Sequence, residues 1–316
     1  MLKAWLNSLE LAIHNEFRKN IIARELFRLM LSFDWSKCSM YDLWFFVQRF
    51  SKKYVGSDFL VKLINIESLR ELGRASSIIK DIVSKLRGYE RFKASVKAAL
   101  VSTNFSIQSI YINSGKYPYT LTVGEVLSEY ANIKLRANIL RQLYRDIDGM
   151  RILYLSGSVL EIMFDRFLVD EVSKHCRRLI IVPSLPLTKE LNRKVMDEVP
   201  WIEKEIRTMS KKGYMVFNVE SLKAVDDMIF DSDLIIVKNP LYYIYARNNH
   251  MIKVFYIMAK SACKVLINEF NLPVDNYILM RIGAKRYVRT EGVATEAYAV
   301  ISHVLPVHRI AQLLES

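Results

Sequence analysis

Two short apolar runs end on residues that could handle an anion. Arg151 to Ser156 closes on Ser156-Gly157-Ser158, and Asp233 to Lys238 closes on a lysine. A serine-glycine-serine turn that leads into a helix can offer backbone N–H groups and hydroxyls to an anion. The same residues also suit a plain strand-to-helix turn capped by Ser158. A lysine at the end of a strand supplies a compact positive charge for a phosphate, or simply a solvated strand end. Further acidic residues, Asp226, Asp227, Asp231 and Asp233, stand at the start of the second run, on its amino side, and read as helix-end solvation.

Other chemistries find no support. There is no GxxxxGK[ST] loop, no GxGxxG turn and no GxSxG elbow. The histidines, His14, His175, His250, His303 and His308, form no HExxH and no pair on one helical turn, so zinc catalysis is not expected. Cys38, Cys176 and Cys263 are far apart and form no CxxC, which argues against a zinc ribbon or disulfide framework and fits a reducing cytoplasm.

The elements that must carry these residues change character along the chain. The first proline is Pro118, and before it apolar positions recur at helical spacing, which predicts an all-helical N-terminal lobe over residues 1–148. Gly56, Gly73 and Gly88 are its candidate breaks or caps. From residue 149 to 316 short apolar runs alternate with helical stretches, the grammar of an α/β domain with a three-layer, doubly wound, mostly parallel sheet. Strands are expected at Arg151 to Ser156, Leu179 to Val182, Tyr214 to Asn218, Asp233 to Lys238 and Lys264 to Ile267. Helices are expected at Val159 to Lys174, Lys189 to Lys211, Ser221 to Phe230 and Met251 to Cys263, with an edge strand or hairpin in Tyr287 to Val300. In such a sheet ligands bind beyond the carboxyl ends of the strands, which points to Ser156 to Ser158, Pro183 to Pro186, Asn218 to Ser221 and Lys238 to Leu241.

Composition narrows the partners. The 316 residues carry 46 Lys plus Arg against 33 Asp plus Glu, a net charge of +13 that suits an anionic ligand, nucleic acid or an acidic partner. Lys80, Lys85, Arg87, Arg91, Lys93 and Lys97 could form a basic face on the helical lobe, although a solvated face is the plainer reading and nucleic acid is not favoured. Lys- and Arg-richness with few glutamines resembles thermophile composition. No apolar run is long enough to span a bilayer, and Met1 to Phe17 does not read as a secretion signal, so a cytoplasmic protein without a membrane partner is expected.

Three segments together resemble the damage-control phosphatases, also described as the acidic residue methyltransferase-like metal-binding domain. Ile152-Leu-Tyr-Leu-Ser-Gly-Ser-Val-Leu-Glu-Ile-Met-Phe-Asp165 is similar to the family's strand followed by Asp-Asn-Ala-Gly-Glu-x-x-Phe-Asp, with Glu161, Phe164 and Asp165 matching. Asp233-Leu-Ile-Ile-Val-Lys238 resembles its Asp-Leu-Ile-Ile-Ser-Lys strand. Lys253 to Leu272 resembles the following Phe-Tyr-Leu-x-x-Ala-Lys-Cys helix, with Lys260 in register, and Asn104 stands at the asparagine of an earlier Gly-Asn motif. The resemblance runs from about Glu90 to Met280 and implies a divergent, archaeal-type member.

That family hydrolyses phosphomonoesters of small metabolites with a divalent metal, so the resemblance implies Mg²⁺ or Mn²⁺ and a small phosphorylated metabolite or phosphate. It implies catalytic roles for Lys238, Glu161 and Asp165, and phosphate contacts from Ser156, Ser158, Lys238 and Asn104. Gly157 and Ser158 stand at the family's first-turn ligand positions, Leu160 replaces the following glycine, and Lys189-Glu190 replaces an Asn-Asp pair, which leaves Glu190 as the surviving charged ligand. Glycine offers a metal only its backbone, so the expectation is an eroded metal site with weak or lost hydrolysis, unless a carboxylate such as Glu161 folds into the gap left by Gly157. The alternative is a non-catalytic anion-binding or interaction protein using a basic helical lobe, with nucleic acid or a protein as partner.

Overall fold

Consecutive apolar residues make strands that are buried on both faces, and the sheet is built from such runs. The strands are β1 (Arg151–Leu155), β2 (Arg178–Val182), β3 (Tyr214–Met215), β4 (Leu234–Val237), β5 (Val254–Lys260) and β6 (Tyr277–Ile282). The computed structural model describes residues 15–31, 66–105, 122–157, 159–182, 210–215, 222–238, 254–260 and 277–282, with single positions at 50, 53, 204, 207 and 270.

These strands form one six-stranded sheet in the order β3-β2-β1-β4-β5-β6. β1 runs parallel to both β2 and β4, β3 runs parallel to β2, and β5 to β4; only β6 is antiparallel, against β5. The chain leaves β1 towards β2 and β3 on one side and returns to β4 on the other. That reversal is the switch point of a doubly wound α/β sheet, the class the sequence predicts.

The helices are α1 (Glu16–Leu31), α2 (Ile66–Ser84), α3 (Gly88–Val101), α4 (Val123–Asn132), α5 (Ala137–Asp146), α6 (Val159–Val172) and α7 (Leu222–Phe230), with a 3-10 turn at Ser102–Phe105 directly after α3. Every residue from Leu160 to Val169 is buried, because α6 packs along α3 as well as within the α/β core. Ala94, Ala98 and Ala99 give α3 a low-relief buried surface. α3 also reaches β5 and β6, so one continuous core runs from Ile22 and Leu26 of α1 to Met258 and Ala259 of β5. Residue 148 falls in the short turn between α5 and β1, where Gly149 takes a φ of +66°. Gly88, with a φ of +54°, is the first residue of α3, at the turn by which the chain enters that helix, where glycine's freedom to take a left-handed conformation is used. Gly73 does not break a helix; it lies inside α2.

One element is corrected outright. Residues 254–260, expected within a helix at Met251 to Cys263 and matched to a helix by the resemblance, form β5. Phe255 to Ala259 are buried in an unbroken row, and an apolar run of that length has no periodicity to separate a buried strand from a buried helix. β6 was not anticipated at all. The expected strand at Lys264 to Ile267, the segment Tyr287 to Val300 and nearly all of Lys189 to Lys211 lie outside the described residues.

Candidate functional site

Ser156 follows β1 and Lys238 follows β4, on the two sides of the switch point. Their strands are stitched together there, with Lys238 N donating to Leu155 O at 2.9 Å. α6 starts just after the Ser156-Gly157 turn and carries Glu161 and Asp165, one helical turn apart and therefore on one face. The 3-10 turn brings Ser102 to the same place.

These side chains converge on the Lys238 ammonium. Its Nζ lies 2.6 Å from Glu161 Oε2 and 2.5 Å from Asp165 Oδ1, and it donates to Ser102 Oγ at 2.6 Å. Ser102 in turn donates to Ala99 O at 2.9 Å, and Ser156 Oγ donates to Asp165 Oδ2 at 2.6 Å. The side chains of Lys238, Glu161 and Asp165 are 0% exposed. Charges in such a place survive only when paired, and removing one partner strands the others.

Glu161 is the least satisfied member. Its Oε2 meets Lys238 as an ion pair without hydrogen-bond geometry, and its Oε1 has no hydrogen-bond partner. The carboxylate lies against Gly157, where an added Cβ would stand 2.0 Å from Oε1 and 2.9 Å from Cδ. Position 157 is therefore compatible with Glu161 only because it has no side chain.

The electrostatics follow from burial. Burial pushes the Glu161 carboxyl up to about 7; the nearby Asp165 charge adds to this and Lys238 opposes it. Asp165 is raised too, chiefly by burial, with Lys238 and the Ser156 hydroxyl pulling the other way. The Tyr154 hydroxyl, also fully buried, is raised well above its ordinary value by burial and by the neighbouring Asp165 and Glu161 charges. With both carboxylates ionised the cluster carries one net negative charge, and a proton on Glu161 makes it neutral.

Of the positions that the resemblance gives to a divalent metal, Ser158 and Glu190 lie outside the described residues, and the buried donors beside Gly157 are already matched to a cation. The oxygens of Glu161, Asp165 and Ser102 converge on a point already held by an ammonium, whose charge opposes a second cation beside it. Among the described residues, no group of three His, Cys, Asp or Glu side chains could hold a metal ion.

Of the residues singled out in the sequence, Ser156, Glu161, Asp165 and Lys238 meet in one cluster. Asn104 joins a different one: its amide donates to Tyr277 OH at 2.5 Å and to the Glu129 carboxylate, which also accepts from Tyr277. Ser158 and Glu190 lie outside the described residues, as do residues 183–186, 218–221 and 239–241. Asp233 sits at the amino end as read, and its carboxylate grips the Arg151 guanidinium at 2.8 and 3.0 Å. Ser102 and Tyr154 were missed. Ser102 follows a long helix and resembles any helix-end serine, while Tyr154 is one more apolar-run residue; neither carries a sequence signal.

No family model matches this chain, and no curated protein matches it. Among solved structures it is similar to the crystal structure of a DUF89 family protein from Pyrococcus horikoshii, with a TM-score of 0.59 at 15% identity over 87% of this chain and 94% of that one. The likeness is one of fold.

Proposed function

We propose that this chain is a divergent member of the damage-control phosphatase family. In this reading it receives a small phosphorylated metabolite, or phosphate itself, beyond the carboxyl ends of β1 and β4, with metal-dependent hydrolysis weak or lost. The observation that carries the reading is convergence. Glu161, Asp165 and Lys238 were matched to family motifs as residues, and side chains 73 positions apart in sequence meet in one cluster at the switch point. The shared fold with a DUF89 protein supports it, since that name denotes the same family. The weak-hydrolysis part rests on Gly157, which offers no carboxylate, and on an ammonium at the focus of the remaining oxygens. When Glu161 is protonated, one N–H of Lys238 is free to turn to a phosphoryl oxygen without leaving a bare buried charge.

The complete burial of the cluster favours a second reading, a non-catalytic homologue in which Lys238 acts as a structural tie. One experiment separates them: hydrolysis of a panel of phosphomonoesters with Mg²⁺ or Mn²⁺, beside calorimetric titration of inorganic phosphate. The titration uses the native chain and a Lys238→Ala variant whose fold is checked by circular dichroism. Slight turnover with phosphate binding that disappears in the variant supports the first reading. Strong metal-stimulated turnover overturns the loss of hydrolysis, and phosphate binding by neither protein leaves the structural tie.

A further inference from the structure

We propose that the outward face of α1 is a docking surface for an anionic lipid membrane, on which the helix lies along the headgroups. The proposal goes beyond the functional reading and does not rest on it. α1 has two apolar sides. Ile22 and Leu26, one turn apart, are buried in the core and fix the helix to the protein. On the opposite side Phe17, Ile21, Arg24, Arg28 and Leu31 follow one another at steps of three and four residues, which makes a single stripe, with Phe27 at its edge. Its four apolar members are all exposed. Phe17 at 76% and Leu31 at 87% stand out from the surface and line no groove.

Charge and area select the occupant. α1 carries four basic residues, Arg18, Lys19, Arg24 and Arg28, against two acidic ones, Glu16 and Glu25, an excess of two positive charges. Both acids are engaged by neighbours on the helix, Glu16 by Lys19 at 2.6 Å and Glu25 by Arg28 at 2.5 Å. A protein groove that receives an amphipathic helix favours an unbroken apolar row, and here two guanidinium groups interrupt it. At a lipid surface the same arrangement is favourable. Phenyl and aliphatic groups enter the boundary of the acyl chains, while arginines on long stems reach back to the phosphate groups. A second copy of the chain is a poorer match, because pairing Phe17 of one copy with Leu31 of the other about a twofold axis sets Arg24 against Arg24. The exposed apolar area, on the order of 500 Å², also falls short of the roughly 800 Å² per partner of a stable interface. Among the described residues no helix is long and apolar enough to cross a membrane. The lack of a spanning run, which argues against a membrane partner when the sequence alone is read, does not bear on a helix lying in the interface plane.

The test is co-sedimentation of the native chain with vesicles of phosphatidylcholine alone and of phosphatidylcholine mixed with phosphatidylglycerol. Three variants are compared, each with its fold checked by circular dichroism: Phe17→Ser combined with Leu31→Ser, Arg24→Glu, and Arg145→Glu on α5 as a charge control. All four side chains are exposed, so the fold should be kept. The native chain should bind the anionic vesicles at least about tenfold more tightly than the neutral ones. The double variant and Arg24→Glu should each lose about tenfold on anionic vesicles, and Arg145→Glu should stay within about twofold of the native chain. Absence of binding to anionic vesicles, equal binding to both compositions, native-like binding by the double variant, or equal losses for Arg24→Glu and Arg145→Glu overturns the proposal. So does a native chain that sediments as a dimer without vesicles and becomes a monomer in the double variant, since the face then belongs to a second copy. None of these outcomes bears on phosphate binding or turnover, so the functional reading stands or falls by its own assay.

Discussion

Gly157 and Glu161 occupy one volume: the carboxylate Oε1 of Glu161 lies 2.0 Å from where a side chain at 157 would begin. The backbone at Gly157 is not in the left-handed region, so an alanine there meets a steric obstacle and no conformational one. The obstacle is the tip of a flexible side chain, and what makes moving it costly is its ion pair with buried Lys238. Gly157→Ala should therefore destabilise the fold by about 1–3 kcal/mol, read from urea denaturation midpoints. In a Glu161→Ala background the same change should be nearly neutral. Equal costs in both backgrounds would mean that the two residues do not compete for space.

Lys238→Met keeps the volume and removes the charge, which leaves Glu161 and Asp165 as buried carboxylates without a cation. A loss of about 3–5 kcal/mol is expected at neutral pH. The loss should shrink as pH falls, because the stranded carboxylates can then take up protons. A variant carrying Glu161→Gln and Asp165→Asn as well, with no charge left to bury, should recover most of the stability. If it does not, packing and not charge explains the position.

The raised carboxyls give a signed pH dependence. Glu161 titrates near 7 in the folded chain and near the ordinary carboxylate value when unfolded, so between these values the folded state holds the extra proton. Its contribution to stability is therefore fully present below about 4.5 and is lost as pH rises through about 7. Asp165, also raised, acts in the same direction. Glu161→Gln is neutral throughout, so its stability relative to the native chain should improve as pH is raised from 4 to 8 in urea titrations. A difference that is flat or moves the other way would place an ionised Glu161 in the folded state across that range.

How much of this was legible follows from what each residue does. β1, β2 and β4 were readable because Ile, Leu and Val on consecutive positions between turn residues have few other uses. β5 was not, since Phe255 to Ala259 offers the same burial to a helix or a strand and only its pairing with β4 and β6 decides. Lys238 was visible as a charge ending an apolar run, and Glu161 and Asp165 through the family resemblance. Their mutual neutralisation was not visible, because it depends on how α6 is rotated against β4. Ser102 escaped for a related reason: it reaches Lys238 across 136 residues, and nothing local marks it.

Tyr256 and Arg281 are directly opposite each other on β5 and β6, and both turn to Asp146, the last residue of α5. Tyr256 OH donates to Asp146 Oδ2 at 2.7 Å and Arg281 Nε to the same oxygen at 2.9 Å. A carboxylate at a helix carboxyl end works against the helix dipole, so this aspartate is locally unfavourable and gains its stability from the sheet. The Tyr256 hydroxyl is held far above its ordinary value by burial and by Asp146, and so remains a donor at any working pH. Asp146→Asn should cost about 1–3 kcal/mol, more than Tyr256→Phe, since it removes the charge that strengthens both bonds, the ion pair with Arg281 as well as the hydrogen bond from Tyr256. Because the helices before residue 148 share their core with the sheet, urea unfolding of the native chain should follow one transition by both circular dichroism and tyrosine fluorescence. Two separated transitions, with Asp146→Asn shifting only the first, would instead make the helical part a unit that folds by itself, tied to the sheet mainly through this aspartate.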